Sequence, residues 1–246
     1  MTPREGWTIE SPTRYEHLLL AALDALGSCP KIDVSHQELV VESQAEGPNG
    51  ISAARLAAEA MEAASLLPEL EQVIVAPAIA EQAPRFRRIA AHWRGREAVQ
   101  DLTGEFRIPQ FYRAIFEPAP PLAWEGSPPD ELELLAQFRQ VDGHPRSGTG
   151  QFALVRLEPN TTPLEIWVWD ARLGAQRMDL DYLGYLEALA VTKGTYGWQY
   201  LFTDLSFLND DLYHVAESMK AMLRRFPDLF PQHDYTQLRE RLEERL

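Results

Sequence analysis

The sequence predicts an α+β protein, with a small, mostly antiparallel sheet packed against several helices and a helical C-terminus. Two β-rich runs, residues 151–157 (QFALVRL) and 164–170 (LEIWVWD), are joined by Glu158-Pro159-Asn160-Thr161-Thr162-Pro163, a connection short enough to make them antiparallel neighbours. Apolar residues recur at helical spacing near both ends of the chain. With 246 residues, 45% of them hydrophobic, there is material for one large domain or two small ones.

Near the N-terminus, Tyr15, Leu18, Leu19, Ala22, Leu23 and Leu26 mark one face of a helix over residues 13–26, stopped by Gly27. Residues 52–67 carry seven alanines with Met61, Leu66 and Leu67, and predict a second helix ended by Pro68. A short strand is expected over 71–76 (EQVIVA) before Pro77, then a return to helix over 85–94. Pro118, Pro120, Pro121, Pro128 and Pro129 remove backbone donors within a single stretch, so 118–129 reads as a linker or domain edge. It separates a helix-rich region with short strands, 1–117, from an α+β region, 130–246; one continuous domain is the alternative.

Beyond the prolines, 130–141 reads as a short helix and 143–150 as a polar turn. Residues 175–180 pair as a third strand across the turn at 172–174. Asp181 N-caps a helix carrying Tyr182, Tyr185, Leu186 and Leu189, with Lys193 at its negative end and Gly194 as the stop. Asn209 caps another, with Leu212, Val215, Ala216, Met219, Leu223 and Phe226 on its core face and Pro227 closing it. Leu238, Leu242 and Leu246 define a last helix over about 234–246, whose other positions are mostly Arg and Glu in salt-bridge register.

The formal charge is −14, from 37 acidic and 23 basic side chains, so the averaged field repels phosphate backbones and anionic membrane surfaces. No direct contact with nucleic acid is expected. The basic run Arg85, Arg87, Arg88, Arg94 and Arg96, interleaved with Phe86 and Trp93, is better read as compensation for the acidic residues between Asp33 and Glu81. The longest apolar stretches, 18–23 and 186–191, fall well short of the roughly 18 residues of a membrane span, and the N-terminus carries no signal pattern. A cytoplasmic location follows as the expectation, and the single Cys29 fits a reducing compartment.

Motifs for chemistry are missing. There is no GxxxxGK[ST], GxGxxG or GxSxG, and the nearest approach to a phosphate loop, Gly143-His-Pro-Arg-Ser-Gly148-Thr-Gly150, lacks the lysine and precedes a strand. His17, His36, His92, His144, His214 and His233 are scattered without an HExxH or HxxxH pair. Asp210 and His214 stand four apart on one helix face, but acids in a first turn are favoured by the helix dipole without a metal. No cofactor, metal or catalytic residue is therefore assigned. What remains is an aromatic constellation, Trp167, Trp169, Tyr182, Tyr185, Tyr196, Trp198, Tyr200 and Phe202, read first as core.

Three segments, Glu165-Ile-Trp-Val-Trp-Asp170, Met178-Asp-Leu-Asp-Tyr-Leu-Gly-Tyr-Leu-Glu187 and Thr192-Lys-Gly-Thr-Tyr-Gly-Trp-Gln-Tyr-Leu-Phe202, together resemble the C-terminal region of the SUKH superfamily. The first half of the chain departs from that pattern. The resemblance implies an α+β binding module, in bacteria often an immunity protein that neutralises a toxin, commonly a nuclease. An acidic protein suits that task, because complementary charge speeds encounter with a basic cleft. The expected partner is thus a basic protein, met through Asp204, Asp210, Asp211 and Glu217, which lie in a stretch (194–219) free of Lys and Arg. Residues 33–81 form the competing acidic patch. An adaptor or scaffold in envelope or defence signalling is one alternative; a hydrolase built from dispersed residues such as His92, His144, His214 and carboxylates is another.

Overall fold

The computed structural model describes residues 12–41, 72–208 and 210–246. Helix α1 (Arg14–Ser28) opens on a capping box, in which the Thr13 hydroxyl accepts from the Glu16 N–H and the Glu16 carboxylate accepts from the Thr13 N–H. Gly27 lies inside this helix, and Cys29 caps it. Strand β1 (Ile32–Val40) follows, then α2 (Pro77–Gln82), β2 (Arg88–Gly95), β3 (Thr103–Pro109), α3 (Phe111–Phe116) and α4 (Pro129–Ala136). Strands β4 (Phe138–Gly143), β5 (Gln151–Arg156), β6 (Glu165–Asp170) and β7 (Gly174–Arg177) come next, then α5 (Tyr182–Thr192), α6 (Tyr213–Leu229) and α7 (Thr236–Arg245).

The fold is α+β, with two antiparallel meanders, β1-β2-β3 and β4-β5-β6-β7. One hydrophobic core runs from Tyr15 to Leu242 and takes residues from both sides of the proline-rich stretch 118–129. Helix α1 packs on α5 and on β1, and α7 packs on α6. The sheets meet where β3 lies beside β4, with Gly104 also bridged to Thr195. No helix among the described residues is long and apolar enough to cross a membrane.

Four local expectations are corrected. Residues 85–94 are not helical: Ile89, Ala91 and Trp93 point to the core at period two while Arg88, His92 and Arg94 are less buried, which is strand alternation. Their Ala and Arg content favours a helix, but pairing on both edges with β1 and β3 overrides it. Residues 73–76 form no strand; Val73, Val75 and Ala76 pack against the core instead of pairing. The helix expected over 130–141 ends at Ala136, because 138–143 pairs with β5. Pro227 does not close α6, which continues to Leu229; the Leu223 carbonyl that Pro227 cannot serve accepts instead from the Arg239 guanidinium at 3.3 Å. The helix predicted over 52–67 and the cap at Asn209 lie outside the described residues.

Elsewhere local chemistry acts as read. The Asp181 carboxylate accepts from the Gly184 N–H at 2.7 Å and starts α5. Lys193 takes the left-handed cap conformation and Gly194 follows at φ 67°, where a Cβ would lie 2.7 Å from the Glu105 carbonyl oxygen, so glycine is required twice over.

Candidate functional site

Two surfaces and one buried network carry the polar chemistry. The first surface is the outer face of the β1–β3 sheet. Strand pleat and register place His36, His92 and Glu105 in one cross-strand row and Glu38, Ala90 and Arg107 in the next. Against this face stands the 143–150 turn, and between them lies a groove of about 260 Å³ lined by His36, Glu38, Arg88, Glu105, Arg107 and Arg146, among others. A smaller recess of about 60 Å³ adjoins it, sharing Glu105 and reaching His92, His144, Ser147, Thr149 and Tyr196.

The turn that sequence compared with a phosphate loop does cradle an anion, but one of the protein's own. The buried Glu105 carboxylate accepts from the Arg146 N–H at 2.8 Å and the Ser147 N–H at 2.7 Å. His144 is buried beside it, with Nδ1 2.9 Å from the Thr149 hydroxyl and Nε2 without a partner; burial pushes its pKa down to about 4, so the ring is neutral at pH 7. His92 Nδ1 lies 2.6 Å from the hydroxyl of Ser35, a pairing that resembles a base and a nucleophile. The same hydroxyl donates to the His92 carbonyl oxygen at 3.1 Å. A hydroxyl has one proton, so while it is given to the carbonyl the shorter contact takes the ring N–H as donor, and the His92 tautomer decides which arrangement holds. Among the described residues, no group of three His, Cys, Asp or Glu is placed to hold a metal ion.

The second surface is the C-terminal acidic one. Asp204, Asp210, Asp211 and Glu217 are all exposed, Asp210 and Asp211 in the 3-10 turn that leads into α6. Glu217 forms an exposed pair with Lys220 at 3.0 Å, which discounts its charge. Among them stand two apolar side chains that the sequence reading did not single out, Leu208 at 76% and Tyr213 at 58% exposure. Of the competing acidic patch, Asp33 pairs with Arg94 and Arg96, and Glu38 with Arg88. Its residues 42–71 lie outside the described ones.

No protein-family model, curated protein or solved structure matches this chain.

The aromatic constellation divides in two. Tyr185, Trp198, Tyr200 and Phe202 are buried together, with the Trp198 ring 4.9 Å from Tyr185 and 5.9 Å from Phe202 between centroids. Trp167 and Trp169 lie on the other face of the second sheet, half-buried over a small cluster of Leu135, Phe138 and Leu154. Strand alternation forces this split, since Ile166 and Val168 take the main-core side of β6.

Two tyrosines also have polar duties that sequence did not disclose. The buried Asp142 carboxylate accepts from the Arg107 N–H, the Gly143 N–H and the Tyr185 hydroxyl, each at 2.7 Å, tying β3, β4 and α5 together. Burial pushes its pKa up to about 7 against the pull of these donors. Asp170, also buried, accepts from the Tyr200 hydroxyl at 2.6 Å and from Gln151 at 3.2 Å. Lys193, 1% exposed, places its ammonium against the Ala190 carbonyl and His233 Nε2, and burial lowers its pKa to about 7. These groups sit in the interior and shape the scaffold; neither surface recess reaches Asp142, Asp170 or Lys193.

Proposed function

We propose that the protein is a non-catalytic binding module for a basic protein partner, engaged through the 204–217 surface. One observation carries this reading: Leu208 and Tyr213 are exposed in the same stretch of chain that carries the exposed carboxylates of Asp204, Asp210, Asp211 and Glu217. An apolar anchor with a charged rim is the layout of a recognition surface, the anchor supplying affinity and the rim steering encounter. The overall charge of −14 works in the same direction over longer range. A role as a cytoplasmic immunity or regulatory protein, neutralising a partner such as a nuclease toxin, rests on the SUKH resemblance of residues 165–202 alone. An adaptor in defence or envelope signalling would use the same surface, and a toxin gene beside this one separates the two.

The experiment is affinity capture from the native host with wild type and with Leu208→Ala, Tyr213→Ala double-variant protein. Both side chains are exposed, so the variant is expected to melt within about 0.5 kcal/mol of wild type. Capture of a basic protein by wild type, reduced at least about tenfold in the variant, is the expected outcome, equivalent to about 1.4 kcal/mol of anchor contribution. Equal capture by both proteins would place the binding surface elsewhere.

A further inference from the structure

The groove on the outer face of the β1–β3 sheet is lined by no residue of the 204–217 surface. We infer that it is a binding site for the oxyanion group, phosphate or carboxylate, of a small molecule, held between the guanidinium groups of Arg107 and Arg146.

Four observations converge on an anion. The floor is open because Ala90 stands between Glu38 and Arg107 in the cross-strand row, and a methyl group fills little of the space that its long neighbours frame. The carboxylates in the groove already have donors, and with Glu38 offset by Arg88 the lining carries two further guanidinium groups against the one remaining carboxylate charge, that of Glu105. Glu38 is bound by both Nε and Nη2 of Arg88, and Glu105 accepts two backbone N–H groups of the turn. Arg107 and Arg146, by contrast, are exposed and make no ion pair among the described residues. Arg85, Arg88, Arg94 and Arg96, in comparison, have carboxylate partners in Glu16, Glu38 and Asp33.

The two guanidinium groups also rise from pinned backbone. The Arg107 N–H is held by Asp142 and the Arg146 N–H by Glu105, so both stems start from positions fixed by buried carboxylates. Less ordering entropy is then lost when a ligand binds. Guanidinium groups are matched to the paired oxygens of carboxylate and phosphate. At about 260 Å³ the groove lies just below the usual range for drug-sized ligands, which suits an anionic group with a small organic part.

The test is titration of the purified, isotope-labelled protein with inorganic phosphate and, separately, with acetate at constant ionic strength in chloride, followed by amide NMR. Saturable shifts confined to residues 105–107 and 146–147 are expected with at least one of the two, and the tighter binder identifies the headgroup. Arg107→Gln and Arg146→Gln should each weaken binding by about tenfold, the scale of one charge-assisted contact. Arg87→Gln, exposed and outside the groove, should leave it unchanged. Shifts that grow linearly and spread over the surface, or saturable binding that survives the double substitution of Arg107 and Arg146, would overturn the assignment.

Discussion

Trp198→Ala is expected to lower the unfolding free energy by about 3–5 kcal/mol. The indole is fully buried between Tyr185 and Phe202, and its Nε1 has no hydrogen-bond partner, so the loss is one of packing with no polar group orphaned. The position also leaves little room for relaxation. Gly197 sits at φ 83° with a Cβ position 2.8 Å from Val215, and the following 3-10 turn is buried throughout. Denaturant melts of Trp198→Ala beside Trp124→Ala make the contrast, because Trp124 is 67% exposed and its truncation should cost under about 0.5 kcal/mol. Equal midpoints for the two variants would contradict the assignment of Trp198 to the core.

Asp142→Ala is expected to cost a similar amount, about 3–5 kcal/mol, by a different route. Removing the carboxylate strands the Arg107 N–H, the Gly143 N–H and the Tyr185 hydroxyl, three donors that this one side chain serves across two sheets and a helix. Asp142→Asn retains an oxygen for the two N–H groups and should lose only about 1–2 kcal/mol. The pH dependence has a definite sign. The folded-state pKa, raised to about 7 from the ordinary 3.8, means that the native state holds a proton the unfolded chain has released, so the aspartate's contribution falls as pH rises from about 4 to 7. His144 and His233, both lowered to about 4 by burial, pull the other way over much of this window. The difference between wild type and Asp142→Asn, measured by urea melts at successive pH values, removes their part: the stability of wild type relative to the variant should decline toward pH 7. A flat difference would mean that Asp142 keeps its ordinary pKa.

Strands β5, β6 and β7 of the second sheet and the helices that follow them were legible because their signals are local, whereas β4 was read as the end of a helix. In Glu165–Asp170 the alternation of Ile166 and Val168 with Trp167 and Trp169 is complete within six residues, and Asp181 caps α5 through an N–H three positions away. The first sheet was not legible, because what steadies its strands is remote in sequence. Strand β1 alternates weakly, and its polar side chains find partners 50 residues away in Arg88 for Glu38 and 61 away in Arg94 for Asp33. A signal was nonetheless present in Thr103–Pro109, where Phe106 and Ile108 alternate with Glu105 and Arg107. Read as a strand, that segment points Glu105 and Arg107 to one face and locates the groove. Leu208 and Tyr213 could not be distinguished by sequence from core residues, since their exposure is decided by how α6 docks through Val215, Met219 and Met222.

The claim that this protein acts by capturing a basic partner through residues 204–217 is tested most directly by association kinetics with the captured protein across a salt series. Asp210→Asn with Asp211→Asn removes two exposed charges whose other role, stabilising the start of α6, is typically worth about 0.3–1 kcal/mol each. The account predicts a slower association rate and a shallower dependence on salt in this variant, with little change in dissociation, because rim charges act mainly on encounter. Rates that match wild type at every salt concentration, with variants in residues 33–81 affected instead, would contradict it.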